Sequence, residues 1–99
     1  MRLIAESTLI KFSDKHPESQ QVIQAWYKVF KSCSAADFNE LKLTFNSADY
    51  VPPKYTVFNV SGNEYRIILN IHYNAQRAFV RFVGTHAEYK SWTTKNRKK

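Results

Sequence analysis

Two short turn signals constrain this chain more than any other feature. Gly62-Asn63 and Asn74-Ala75 interrupt a run of β-branched and aromatic residues from position 55 to 83. Small, φ-tolerant residues between such runs mark tight hairpins. The spacing predicts three antiparallel strands over 55–60, 64–73 and 77–83. Two-residue turns then fix the register, with Asn59 opposite Arg66 and Ile68 opposite Arg81. Residues directly opposite share a face. One face carries Thr56, Phe58, Val60, Tyr65, Ile67, Leu69, Ile71, Ala78, Val80 and Phe82, and is expected to pack on helices. The other carries Tyr55, Val57, Asn59, Arg66, Ile68, Asn70, His72, Arg77, Phe79 and Arg81, with three arginines and no acid. Arg66 and Arg81 come out as diagonal neighbours. Like charges so placed repel unless an anion or acid lies between them. Two readings stay open: arginines lying flat on Tyr55 and Phe79, or a phosphate-sized site.

The first half reads as helical after a short strand over 2–5. Ser7 is expected to N-cap a helix through about Lys15 with Leu9 and Phe12 on one face. Pro17 suits a helix N1 position, with Glu18 in the first turn, where the helix dipole favours an acid. Val22, Ile23, Trp26, Val29, Phe30 and Cys33 then recur at three- and four-residue spacing, the pattern of an amphipathic helix. Phe38, Leu41 and Phe45 suggest a short third helix. Residues 49–54, with Pro52-Pro53, read as a loop. Thr85-His86-Ala87-Glu88 has the spacing of a capping box and predicts a short C-terminal helix carrying Tyr89 and Trp92. The basic end, Lys95-Asn96-Arg97-Lys98-Lys99, is expected to be a frayed tail.

At 99 residues the expectation is a single domain spanning 1–99. Cys33 is the sole cysteine, so neither an intrachain disulfide nor a two-cysteine zinc site is available, and a reducing compartment fits best. No apolar run has the length of a secretory signal core or a membrane span. The net charge of +7 points to an anionic partner: nucleic acid, an acidic membrane surface or an acidic protein. His86 would stand in the first turn of a helix, at the end of the strand carrying Arg81. Histidine titrates near neutrality and can give or take a proton. His16 and His72 have no comparable company. The carboxylates show neither paired nor metal-ligand spacing, and no Gly-rich phosphate loop is present, so neither metal nor cofactor is expected.

The segments Asn59-Val60-Ser61-Gly62-Asn63-Glu64-Tyr65-Arg66-Ile67-Ile68 and Ala78-Phe79-Val80-Arg81-Phe82-Val83-Gly84-Thr85-His86-Ala87-Glu88-Tyr89 together resemble HigB toxins of the RelE-like toxin–antitoxin superfamily. The likeness covers residues 54–92; residues 34–50 carry no family signature. It implies an α+β fold, with a short N-terminal strand and helices packed on an antiparallel sheet and a short C-terminal helix. It also implies a cytoplasmic mRNA interferase that cuts messages, typically on the ribosome, held inactive by a cognate HigA-like helix-turn-helix antitoxin. Arg66 matches the middle-strand arginine of RelE-like toxins, and His86 and Tyr89 match the C-terminal histidine and tyrosine. Arg81 lies where the last strand could add a phosphate contact. Some members carry lysines in the strand before the first hairpin. Here that strand is Tyr55-Thr56-Val57-Phe58-Asn59, with Lys54 at its edge.

The implied reaction is attack of an RNA 2′-hydroxyl on the adjacent phosphorus, which needs neither a metal nor a protein nucleophile. Arg66, Arg81, His86 and Tyr89 are the expected catalytic residues; Lys54, Tyr55, Arg77, Lys90 and Lys95 are the expected RNA contacts. A non-catalytic RNA-binding module using the same basic face is the alternative, followed by a protein that docks on an acidic partner.

Overall fold

A computed structural model describes residues 1–61 and 64–97, the last three as helix backbone. The elements run β1 (Arg2–Ile4), α1 (Ser7–Lys15), a 3-10 turn (Pro17–Ser19), α2 (Gln20–Ser32), α3 (Phe38–Thr44), β2 (Asp49–Val51), β3 (Tyr55–Val60), β4 (Tyr65–His72), a second 3-10 turn (Tyr73–Ala75), β5 (Arg77–Thr85) and α4 (His86–Arg97). The strands form one sheet in the order β1-β5-β4-β3-β2. β1 runs parallel to β5, and the other pairings are antiparallel. The fold is α+β, as expected.

The predicted apolar face meets α1, α2 and α3. Leu9, Phe12, Ile23, Trp26, Phe30 and Leu41 join Phe58, Val60, Ile67, Leu69 and Ala78 in one buried cluster. Its centre is aromatic. Phe58 is 1% exposed, and its ring centroid lies 5.2 Å from Trp26, 5.9 Å from Phe30 and 5.1 Å from Phe45, each edge to face. Edge-to-face rings gain quadrupole attraction beyond the area they bury.

Several details depart from the sequence reading. Ser7 is the first helical residue of α1; Glu6 precedes it and no side chain caps the helix. Pro17 opens the 3-10 turn ahead of α2. Residues 49–51 are a strand, not a loop: β2 pairs with β3, Asp49 opposite Val57 and Val51 opposite Tyr55. Pro52-Pro53 masks it in the sequence, because the strand is three residues long and ends against a cis Pro52–Pro53 bond. Asn74-Ala75 is not a two-residue turn. Residues 73–75 form the 3-10 turn and Gln76 takes a left-handed φ of 53°. The C-terminal helix reaches Arg97, so residues 95–97 extend it; Lys98 and Lys99 lie outside the described residues.

The β3–β4 register is the expected one, with Asn59 opposite Arg66, although Gly62 and Asn63 themselves lie outside the described residues. The β4–β5 register follows the expectation from His72–Arg77 to Leu69–Val80 and then slips by one residue. Ile68 faces Phe82, not Arg81, which is the extra residue of a β-bulge. The slip reverses the phase of the rest of β5. Phe82 and Gly84 move to the second face and Val83 turns to the core.

Phe58→Ala removes the ring on which the aromatic cluster converges. We expect a loss of about 3–5 kcal/mol in unfolding free energy, read from urea titration as a lowered midpoint with unchanged slope.

Candidate active site

The second face of the sheet is not open, as the strand pattern alone implies. α4 packs on β4 and β5 across it. Trp92 meets Tyr55 edge-on at 5.2 Å and Phe82 at 6.0 Å. Beneath this layer Val57 is 1% exposed and Ile68 is fully buried. The bulge makes this possible, because it brings Phe82 round to the side where Trp92 lies.

The start of α4 is fixed by the predicted capping box. The Thr85 backbone N–H donates to Glu88 Oε1 at 2.8 Å, and the Glu88 N–H donates to Thr85 Oγ1 at 3.3 Å. The His86 N–H donates to the Glu64 carbonyl at 3.1 Å, tying the first turn back to the start of β4. That turn carries His86 and Tyr89 over Arg66.

Arg66 is 6% exposed. Its Nη1 donates to the Tyr65 carbonyl at 3.3 Å, its Nη2 donates to His86 Nδ1 at 3.2 Å, and its Cζ lies 5.4 Å from the centre of the Tyr89 ring. Arginine has no acceptor, so Nδ1 must be the accepting nitrogen and the neutral imidazole carries its proton on Nε2. Opposite Arg66 on β5 stands Gly84. A Cβ there would meet Phe82 Cζ at 2.5 Å and Cε2 at 2.9 Å, and Glu88 Oε1 at 3.0 Å. The missing side chain lets the Phe82 ring and the capping carboxylate close in beside the arginine.

Three of the expected catalytic residues therefore meet: Arg66, His86 and Tyr89. Arg81 does not join them as a diagonal neighbour. The bulge sets Phe82 across from Ile68, and the exposed Arg81 lies with its Cζ 5.7 Å from the centre of the Phe79 ring. Of the expected RNA contacts, Lys54 is exposed over the Tyr55 ring, Tyr55 is half-buried against Trp92, and Arg77 and Lys90 are exposed on β5 and α4. Lys95 lies on α4. The sequence reading assigned no role to Gly84 or to Arg2, which pairs with Arg77. Both follow from register, Gly84 only once the bulge is known. Among the described residues no group of three His, Cys, Asp or Glu side chains gathers as metal ligands would, and no helix is long and apolar enough to cross a membrane.

Residues 19–92 match the sequence model of a family described as HigB toxin, RelE-like toxic component of a toxin–antitoxin system. Over 101 aligned residues the chain is 31% identical to the mRNA interferase toxin HigB of Escherichia coli strain K12, covering 100% of this chain and 97% of that protein. The mRNA interferase HigB of Escherichia coli O157:H7 matches to the same extent. The mRNA interferase HigB of Escherichia coli O6:H1 is 27% identical over 95 residues, 94% of this chain and 92% of that one.

Gly84→Ala forces the Phe82 ring away from the strand and loosens the Trp92 layer. We expect a loss of about 1–3 kcal/mol, with weakened near-ultraviolet dichroism from Trp92. Full retention of both would show that the close packing at Gly84 is dispensable.

Proposed function

This chain belongs to the HigB toxin family, and from that premise we propose that it cuts messenger RNA at a site built on Arg66, His86 and Tyr89. It is the mRNA interferase of a toxin–antitoxin system, an endoribonuclease with an RNA target and a cognate antitoxin. The rest of the reading is ours. The 2′-hydroxyl of the RNA attacks the adjacent phosphorus, the bond from phosphorus to the 5′ oxygen breaks, and the products end in a 2′,3′-cyclic phosphate and a 5′-hydroxyl. The substrate supplies its own nucleophile, so the protein contributes charge stabilisation and proton transfer.

The contact between Arg66 and His86 carries this reading. Negative charge grows on the phosphorane oxygens, and a guanidinium held in a water-poor site stabilises it best. When His86 turns away from Arg66 its freed Nδ1 takes up a proton, and the resulting imidazolium is the donor to the departing 5′ oxygen, while the proton of the attacking 2′-hydroxyl passes to water. Tyr89 holds the guanidinium against its ring and offers that ring to a base. Arg66 is closed in at 6% exposure, so the reading requires the side chains of His86 and Tyr89 to turn outward when a phosphate enters. The guanidinium then exchanges the Tyr65 carbonyl and the imidazole for phosphoryl oxygens. Arg81 adds a phosphate contact from the bulge. Lys54, Tyr55, Arg77, Lys90 and Lys95 hold the flanking RNA. We place the reaction in the cytoplasm, on messages held by the ribosome, with a HigA-like helix-turn-helix antitoxin as inhibitor. The basic charge of +7 supports docking on RNA.

The test is regulated expression of wild type and Arg66→Ala in bacterial cells, with transcript 5′ ends mapped minutes after induction. Wild type should arrest growth and create breaks inside translated messages, and Arg66→Ala should cut roughly 10²–10³ times more slowly. Equal cleavage by the two proteins at equal abundance would move the site elsewhere.

A further inference from the structure

At the far end of the same face, three basic side chains stand in one row across three strands. Arg2 of β1 pairs with Arg77 of β5, and Arg77 pairs with His72 of β4. All three residues are exposed. Adjacent strands lie about 4.8 Å apart, so two guanidinium stems start within one strand spacing of each other. Like charges directly opposite destabilise a sheet. Among the described residues the ion pairs are His16–Glu18 and Lys42–Asp49; neither involves Arg2, Arg77 or Arg81. Glu6 shares an open groove with Arg2 and Lys31, and its carboxylate accepts from the Tyr27 hydroxyl. Beyond the row, Phe79 receives the His72 ring on edge at 5.4 Å and holds the Arg81 guanidinium over its face. A guanidinium held over a ring places a donor for a phosphate beside an aromatic face on which a base can stack.

We propose that the row Arg2–Arg77–His72, with Arg81 on Phe79, is a second RNA subsite that holds the message strand away from the scissile phosphate. This rests on the proposed function and deepens it, joining Arg2 and His72 to the flanking-RNA contacts Arg77 and Arg81 as one defined subsite. His72 lies six residues along β4 from Arg66, so the row is about 20 Å from the reacting phosphate. A single strand of several nucleotides bridges that distance, whereas a trinucleotide at Arg66 does not reach the row.

The test compares full-length wild type with the double variant Arg2→Ala/Arg77→Ala. The ligands are 2′-O-methyl oligoribonucleotides, which lack the attacking hydroxyl and stay intact. Affinity is measured across a range of salt for a strand of about twelve nucleotides and for a trinucleotide. For the long strand, the double variant should bind more weakly and its log–log salt slope should be shallower by about 1.4, at about 0.7 for each phosphate that is no longer neutralised. Trinucleotide binding should not change. The melting temperature should be no lower than that of wild type, since the change relieves repulsion. An unchanged salt slope with the long strand overturns the proposal. So does an unchanged slope accompanied by loss of sedimentation with ribosomes, which would assign the row to structured ribosomal RNA. Equal competition by polyglutamate of the same charge would assign it to an acidic protein and also overturn it. Failure of wild type to cut messages in cells would instead remove the function on which the subsite rests, so the two failures are separable.

Discussion

A guanidinium taken out of water must find its partners inside the protein, and the arrangement around Arg66 follows from that need. Moving an ion into a protein interior costs several kcal/mol even after relaxation. Arg66 meets that cost with the Tyr65 carbonyl, the imidazole of His86 and the face of Tyr89. His86 and Tyr89 belong to the first turn of α4. The first turn of α4, fixed by its capping box, thus also closes over the arginine. Guanidinium is more weakly hydrated than ammonium and stacks on rings, which makes arginine better suited than lysine to this position.

The bulge at Arg81 is what allows α4 to lie there. With regular alternation Phe82 would point into the main core and a residue with a side chain would stand opposite Arg66. The slip turns Phe82 toward Trp92 and sets Gly84 across from Arg66. A bulge commonly re-aims side chains next to functional sites. Here one extra residue gives the sheet a second apolar layer, over Val57 and Ile68, without disturbing the first.

These relations also explain what could be read in the sequence. Opposite residues in a hairpin sum to a constant, so Asn59–Arg66 and His72–Arg77 follow from turn positions even though the second turn has another shape. The capping box at Thr85 and Glu88 is purely local and equally legible. The bulge is not: the alternation within β5 carries no mark of the extra residue, which shows only in the pairing with β4. β2 was hidden for a different reason. A three-residue edge strand has too little pattern to outweigh two prolines that follow it. That Arg66, His86 and Tyr89 belong together was suggested by family resemblance, and the geometry in which they meet was not legible. The diagonal pairing of Arg66 with Arg81 depended on regular register and failed with it.

The two ends of the second face divide its charge in opposite ways. Arg66 is buried, hydrogen-bonded and braced by an aromatic ring, a state that keeps a cation in one orientation. Arg2 and Arg77 are exposed and set side by side, a state that raises their mutual repulsion and leaves their donors to water. Under the proposed function a phosphate would gain most at the first end from fixed direction and low dielectric, and at the proposed second subsite from simple neutralisation. Transition-state stabilisation needs direction, because it depends on donors already aimed at a developing charge. Holding a flexible strand needs only charge, and costs less when the cations stay hydrated and mobile. The same sheet can serve both ends because α4 covers one and leaves the other open.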